Sequence, residues 1–248
     1  MIEKWLFVAF MVNIYQSVVS FKNPGPSRFI FGRNLHRLQG AATGTVEVAG
    51  YDIIMPFLSE HVQPSDQILF IGAHTDLSVQ LSAAGYGTVN TAFMTVVDDD
   101  ATRLSALAAL AQSSPTTAEH IAKGKLSFKQ VDLANMPDMC KQSTFDAIID
   151  YGGIDSLLAR GNNEGALACI DHLQEAVRLG NILVCLSSLD REVFCAPFEQ
   201  RWGWVQELDG DPGEISAWYR GKSNIDATRS EFDTLGLKMY VYTNTDNC

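Results

Sequence analysis

The stretch Gln67-Ile-Leu-Phe-Ile-Gly-Ala-His-Thr-Asp-Leu-Ser-Val-Gln-Leu81 constrains this chain more than any other. A short apolar run ends at Gly72, and Leu77 and Leu81 then stand four residues apart behind Asp76. The run reads as a buried strand, Gly72 as a tight turn, and Asp76 as the opening of a helix. A strand feeding a helix through a glycine turn is the first unit of a nucleotide-binding α/β sheet.

The flanking segments repeat that unit. Tyr51 to Val62 has helical spacing and closes at a Gln-Pro-Ser-Asp turn, with His61 a cation at its end or exposed to solvent. Thr88 to Val97, Lys125 to Val131, Phe145 to Asp150 and Asn181 to Ser187 read as strands. Helices are predicted from Asp76 to Ala84, closed by Gly85-Tyr86-Gly87, from Ala101 to Gln112, and from Gly165 to Leu179, with Ser113 to Thr117 as a loop. Strands alternating with helices imply a mainly parallel sheet covered on both faces. The last two strands, Trp202 to Leu208 and Lys238 to Thr243, are separated by a polar stretch without helical period, which predicts a hairpin-like antiparallel edge. The fold expected is an α/β, Rossmann-like three-layer sandwich around a seven-stranded sheet.

Length and composition fit one such domain: 248 residues, 46% hydrophobic. The net charge of −11 argues against a nucleic-acid surface, which needs clustered Lys and Arg. No apolar run reaches the ~20 residues of a bilayer span. The five cysteines form no CxxC or CxxxC pair, so zinc and a disulfide framework are disfavoured, and Cys169 and Cys185 read as buried free thiols.

Residues 1–46 read as a targeting segment, leaving 47–248 as the folded domain. A short polar start with Lys4 precedes the apolar stretch Trp5 to Tyr15, and Val18-Val19-Ser20 offers small residues for cleavage before Phe21. From Phe21 to Val46 there is no acid, while Lys22, Arg28, Arg33 and Arg37 are present. A signal peptide followed by a Phe-initiated, transit-like stretch resembles the bipartite presequences of algae with secondary, red-lineage plastids; a secretory destination is the other reading. Beyond residue 46, thirteen basic residues face twenty-eight acids. Such a domain repels anionic membranes and nucleic acid.

In an open α/β sheet the ligand sits beyond the carboxyl ends of the strands. The residues there are Gly72 to Asp76, Asp98 to Asp100, Asp132-Leu133, and Asp150-Tyr151-Gly152. A carboxylate after the second strand can accept both hydroxyls of a ribose, or can cap the next helix, and Asp98, Asp99 and Asp100 can divide these roles. Asp132 can take an adenine amine with Leu133 packed on the ring, or can serve as a turn residue.

The segments Phe128 to Pro137 and Ser143 to Leu158 resemble the class I, seven-stranded S-adenosylmethionine-dependent methyltransferases. Asp150-Tyr-Gly-Gly-Ile-Asp155 is similar to a series in the branch that methylates protein lysines. Leu179-Gly180-Asn181 stands at the turn into strand five, and Ala196 to Trp204 resembles the lead into strand six. The likeness implies S-adenosyl-L-methionine as cofactor. It places Gly72, Ala73 and His74 against the methionine part, Asp98 on the ribose, Asp132 and Leu133 at the adenine, and Asp150, Tyr151 and Gly152 beside the transferred methyl. No catalytic triad is implied, because positioning carries methyl transfer.

The chain departs from the family at its first motif. Phe70 replaces an acid inside the strand, Gly72-Ala73-His74-Thr75-Asp76 replaces a Gly-x-Gly-x-Gly loop, and the spacing to Leu77-Ser78 is one residue short. The family's spacing from Gly85 lands on Phe93 rather than Asp98, and Asp76 adds negative charge at the pocket mouth. His74 has three readings: it fills the pocket, turns outward, or acts as a base. Two functions follow. One is a methyltransferase acting on a basic protein segment or a small molecule. The other is a methyltransferase-fold protein without cofactor that serves as a structural or assembly subunit of a plastid complex. A Rossmann-type oxidoreductase is a weaker third reading.

Overall fold

The computed structural model describes residues 50–136, 143–209 and 236–245. The targeting segment expected over 1–46 lies outside them. Seven strands form one sheet: β1 (Ile68–Ile71), β2 (Met94–Asp98), β3 (Leu126–Gln130), β4 (Phe145–Tyr151), β5 (Val177–Ser187), β6 (Trp204–Asp209) and β7 (Lys238–Asn244). The helices are α1 (Tyr51–Leu58), α2 (Leu77–Ala83), α3 (Ala101–Ser113), α4 (Pro115–Ala122), α5 (Gly153–Ala159), α6 (Asn163–Ala176) and α7 (Arg191–Glu199).

The strand order is β3-β2-β1-β4-β5-β7-β6. β1 to β5 run parallel, and β7 enters antiparallel between β5 and β6. The expected antiparallel pair is therefore present, with β7 one place in from the edge. All four residues of β1 are fully buried, as a central strand covered on both faces requires. Alternation sorts them: Ile68 and Phe70 join the core shared with α1, α2 and α3, and Leu69 and Ile71 join the core shared with α5, α6 and α7. The second core is pinned by aromatic pairs, with Phe194 on Tyr240 at 4.6 Å and Phe198 on Tyr242 at 4.1 Å between ring centroids. Cys169 and Cys185 lie buried in it, neither in a disulfide.

Besides α5 and α7, which the sequence reading does not include, three boundaries differ most from it. β2 begins at Met94 rather than Thr88, because Gly87 and Asn90 both take positive φ and turn the intervening segment. Ser113 to Thr117 is not a loop: Pro115 occupies the first turn of α4, where its missing N–H costs nothing, and Thr117 is buried with its hydroxyl on the Ala111 carbonyl. α6 stops at Ala176, and Val177 already pairs with Phe145, so β5 starts before Leu179-Gly180-Asn181 and carries that segment as an irregularity.

Registry sets up the site. Ile71 lies beside Val97 and Asp150, Asp98 beside Gln130, and Asp150 beside Cys185. Gly72, Asp98, Gln130, Tyr151 and Leu186 therefore form a row across the carboxyl ends, with the switch between β1 and β4 at its centre.

Candidate functional site

Gly72 leaves β1 with φ +102°, and its N–H donates to the Val97 carbonyl at 2.9 Å. A β-carbon at this position would stand 2.4 Å from the carbonyl oxygen of Tyr151, so β1 and β4 approach there as only glycine permits. Gly152 follows β4 in the left-handed conformation (φ +75°). The two glycines leave a notch at the switch point, and the His74 imidazole fills it. Its Cε1 lies 3.2 Å from where a Gly72 β-carbon would be, and its Cε1 and Nε2 lie 3.0 Å from that of Gly152. The Tyr151 ring flanks it, centroids 5.3 Å apart and planes tilted by 58°. Burial, helped by the charge of Arg103, lowers the His74 pKa to about 4, so the ring is neutral at pH 7.

Beyond Gly72 the loop is tied to β2. The Ala73 N–H donates to Asp98 Oδ2 at 2.6 Å, while Asp98 Oδ1 accepts from the Asp100 N–H at 2.7 Å and from Arg103 Nη2 at 2.9 Å. Asp98 as a residue is 2% exposed. Burial pushes its pKa up, opposed by the Asp100 N–H, the charge of Arg103 and the Ala73 N–H. Asp100 caps α3 through the N–H groups of Thr102 and Arg103 at 2.8 and 3.1 Å. Asp99 meets Arg103 at 3.4 Å and Arg160, just past α5, at 2.7 Å. The three aspartates thus take three jobs, and the chain Asp98–Arg103–Asp99–Arg160 joins β2, α3 and α5.

Asp132 is exposed and forms a turn, its Oδ1 accepting from the Ala134 N–H at 3.0 Å. Leu133 is buried beside Ile71 and Val97, with Cδ1 3.4 Å from where a Gly153 β-carbon would stand. Asp150 is fully buried and closes the first turn of α5, accepting from the Gly153 N–H at 2.8 Å and the Ile154 N–H at 3.3 Å. Burial, then the charge of Asp155, pushes its carboxyl up to about 8. Asp155 accepts from Ser187 Oγ at 2.6 Å and from the Ser188 N–H at 2.9 Å, fastening α5 to the end of β5. Burial raises its pKa as well.

The row therefore brings together Gly72, Ala73, His74, Asp98, Asp150, Tyr151 and Gly152; Asp132 stands at its rim and Leu133 beneath it. Sequence reasoning did not assign roles to Arg103, Arg160, Asp155, Ser187 or Ser188. Only the Asp99–Arg103 spacing of four on one helix turn carried a signal. Two further hydroxyls, Thr75 Oγ1 and Ser78 Oγ, are buried without a hydrogen-bond partner among the described residues. Each such orphan costs about 1–3 kcal/mol. A separate polar cleft of about 270 Å³, lined by His61, Gln63, Asp66, Asp146, Gly180, Asn181 and Ile182, opens at the amino ends of the strands, opposite to where this architecture holds ligands.

No family model matches the chain, and no curated protein matches it. Solved structures do. A TehB-like S-adenosylmethionine-dependent methyltransferase from Corynebacterium glutamicum superposes with a TM-score of 0.51 at 13% identity, over 85% of this chain and 94% of its own. The fold is that of the class I methyltransferases. An S-adenosylmethionine-dependent methyltransferase from Methanosarcina mazei is similar at a TM-score of 0.46 and 16% identity, over 77% of this chain and 97% of that one. The 4+2 cyclase SpnF is similar at 0.48 and 13%, over 78% and 80%. The methyltransferase fold agrees with the segments at 128–137 and 143–158 that carry the sequence resemblance.

Proposed function

We propose that this chain is an S-adenosylmethionine-dependent methyltransferase that acts on a basic partner. One observation carries the reading: Gly72 and Gly152, both left-handed, open a notch at the switch point between β1 and β4 that a β-carbon at either would fill. A notch walled by backbone lets a ligand lie directly against the chain, and the fold puts its cofactor there. The residues fit such a group once the His74 ring has left. Gly72 and Ala73 would hold the methionyl end and Asp98 one ribose hydroxyl, on the single acceptor site left beside three bound donors. Asp132 would take the adenine amine, and Tyr151 and Gly152 would wall the reacting end.

Bound S-adenosylmethionine would supply an electrophilic methyl group. The chain's part is then to orient an acceptor in line with it and to exclude water, which needs no nucleophile of its own. The Asp150-Tyr-Gly-Gly-Ile-Asp155 floor supports a protein side chain of the lysine type as acceptor. The excess of acids beyond residue 46 supports a basic segment around it, by charge complementarity.

Calorimetric titration of the full-length chain with S-adenosylmethionine and S-adenosylhomocysteine tests the reading: saturable binding is expected, and none up to millimolar ligand overturns it. A second reading is favoured by the commitment of Asp98 to Ala73, Asp100 and Arg103, which already occupy most of the ribose acceptor. On that reading the fold persists as a cofactor-free subunit of a plastid assembly, and the same titration separates the two.

A further inference from the structure

We propose that His74 is a built-in plug of the cofactor notch: ligand enters when the imidazole swings out, and the side chain at position 74 sets the affinity of the site. The proposal rests on the cofactor reading given above and adds to it a control that resides in the chain itself.

The plug is seated in space that two glycines leave open. Its Cε1 lies 3.2 and 3.0 Å from the missing β-carbons of Gly72 and Gly152, so the ring occupies the volume a ligand would need. The ring is held by shape alone. Among the described residues neither imidazole nitrogen has a hydrogen-bond partner, and its flanking contact is the Tyr151 ring. The residue is half-buried, so water reaches the imidazole, and the ring can leave the notch without breaking a hydrogen bond to the described residues.

The backbone around it is fixed. The Gly72 and Ala73 N–H groups are bound to Val97 and Asp98, and the Asp76 carbonyl accepts from Val79 and Gln80 at the start of α2. Opening therefore needs rotation of one side chain rather than refolding of a loop. The next hydroxyls in the same turn, Thr75 Oγ1 and Ser78 Oγ, are 4% and 0% exposed by residue and lack partners. Two buried hydroxyls within four residues are thus left unpaired by the closed arrangement, and a ligand carrying charged and polar groups offers them what the plug does not.

A site whose open form is a minor species binds more weakly by the fraction open. With about 1–10% of molecules open, removal of the plug tightens binding roughly ten- to a hundredfold. The test compares full-length wild type with His74→Gly, His74→Ala and His74→Phe by calorimetric titration with S-adenosylhomocysteine, with ligand-free thermal unfolding as the control for folding. The glycine and alanine variants are expected to bind about ten- to a hundredfold more tightly than wild type, and the phenylalanine variant no more tightly. In wild type, the Cε1–H resonance of His74 is expected to move away from its Tyr151-shielded position as ligand saturates. Equal affinity in all four proteins, or a His74 resonance unmoved at saturation, overturns the plug and leaves the cofactor reading standing. No binding by any of the four up to millimolar ligand overturns both.

Discussion

The Ala73 N–H donates to the Asp98 carboxylate across 2.6 Å, so the turn after β1 and the last residue of β2 are fastened to each other before any ligand arrives. The bond is charge-assisted and buried, and the same carboxylate restrains Arg103 and the start of α3.

That latch predicts a stability effect larger than a surface ion pair would give. Asp98→Ala leaves two backbone N–H groups and a partly buried guanidinium without their acceptor. It is expected to destabilise the chain by about 3–5 kcal/mol in urea unfolding. A double-mutant cycle of Asp98→Asn with Arg103→Gln should return a coupling of about 1–3 kcal/mol. Additive effects would show that Asp98 acts through the backbone bonds alone.

The two notch glycines should respond differently to alanine. At Gly72 the new β-carbon meets backbone, the Tyr151 carbonyl at 2.4 Å, which cannot yield without parting β1 from β4. Gly72→Ala is expected to cost about 3 kcal/mol or more. At Gly152 the obstacle is the His74 ring at 3.0 Å, the end of a rotatable side chain. Gly152→Ala is expected to cost about 1–2 kcal/mol from its positive φ, plus an increment that disappears in the His74→Ala background. Equal losses in both backgrounds would mean that the ring does not occupy the notch.

What the sequence disclosed follows from which forces are local. β1 was readable because every residue of Ile68–Ile71 is apolar and buried, and the α/β alternation because each helix carries its own period. The start of β2 was misplaced because Thr88 to Phe93 is rich in strand formers, while Gly87 and Asn90 decide the backbone through positive φ. α4 was missed because Pro115 reads as a breaker unless its place in a first turn is known. The site row was legible from strand ends, but the partners of its carboxylates were not. That Asp98 meets Ala73, or Asp155 meets Ser187, depends on strand registry and on residues 25 and 32 positions apart. The imidazole of His74 lies in the notch for the same reason: its neighbour Gly152 comes from another strand end.

N-terminal sequencing of the chain isolated from the cells that make it tests the targeting expectation. Cleavage before Phe21 is expected first, and a mature terminus near residue 46 after the transit-like stretch is removed. An intact Met1 removes the plastid argument without touching the fold.

Stability should depend on pH in a way that identifies two groups of the site by opposite signs. Asp150 is held up to about 8 by burial and by Asp155, whereas in the unfolded chain an aspartate titrates at about 3.9. Between those values the folded state keeps a proton that the unfolded state releases. Unfolding free energy therefore falls as pH rises, by about 1.4 kcal/mol per unit, and levels off above the folded value. His74 does the reverse. Its folded value is lowered to about 4, against about 6.5 when unfolded, so it contributes stability above 6.5 that is lost as pH falls toward 4. From about pH 4 to 6.5 the two slopes oppose each other, and above 6.5 Asp150 acts without that counterweight. The raised carboxyls of Asp98, Asp155 and Asp66 add to the falling limb just above the usual carboxylate range. Urea unfolding of wild type should show the shallower limb below about pH 6.5 and a loss of about 2 kcal/mol between about pH 6.5 and 8. Asp150→Asn, which keeps an oxygen for the Gly153 and Ile154 N–H groups, should abolish the alkaline loss. His74→Ala should steepen the decline between about pH 4.5 and 6.5. A wild-type profile flat from about pH 6.5 to 8 would mean that Asp150 is ionised in its buried seat, and the Asp150–Asp155 pair would then need a compensating charge that the described residues do not supply.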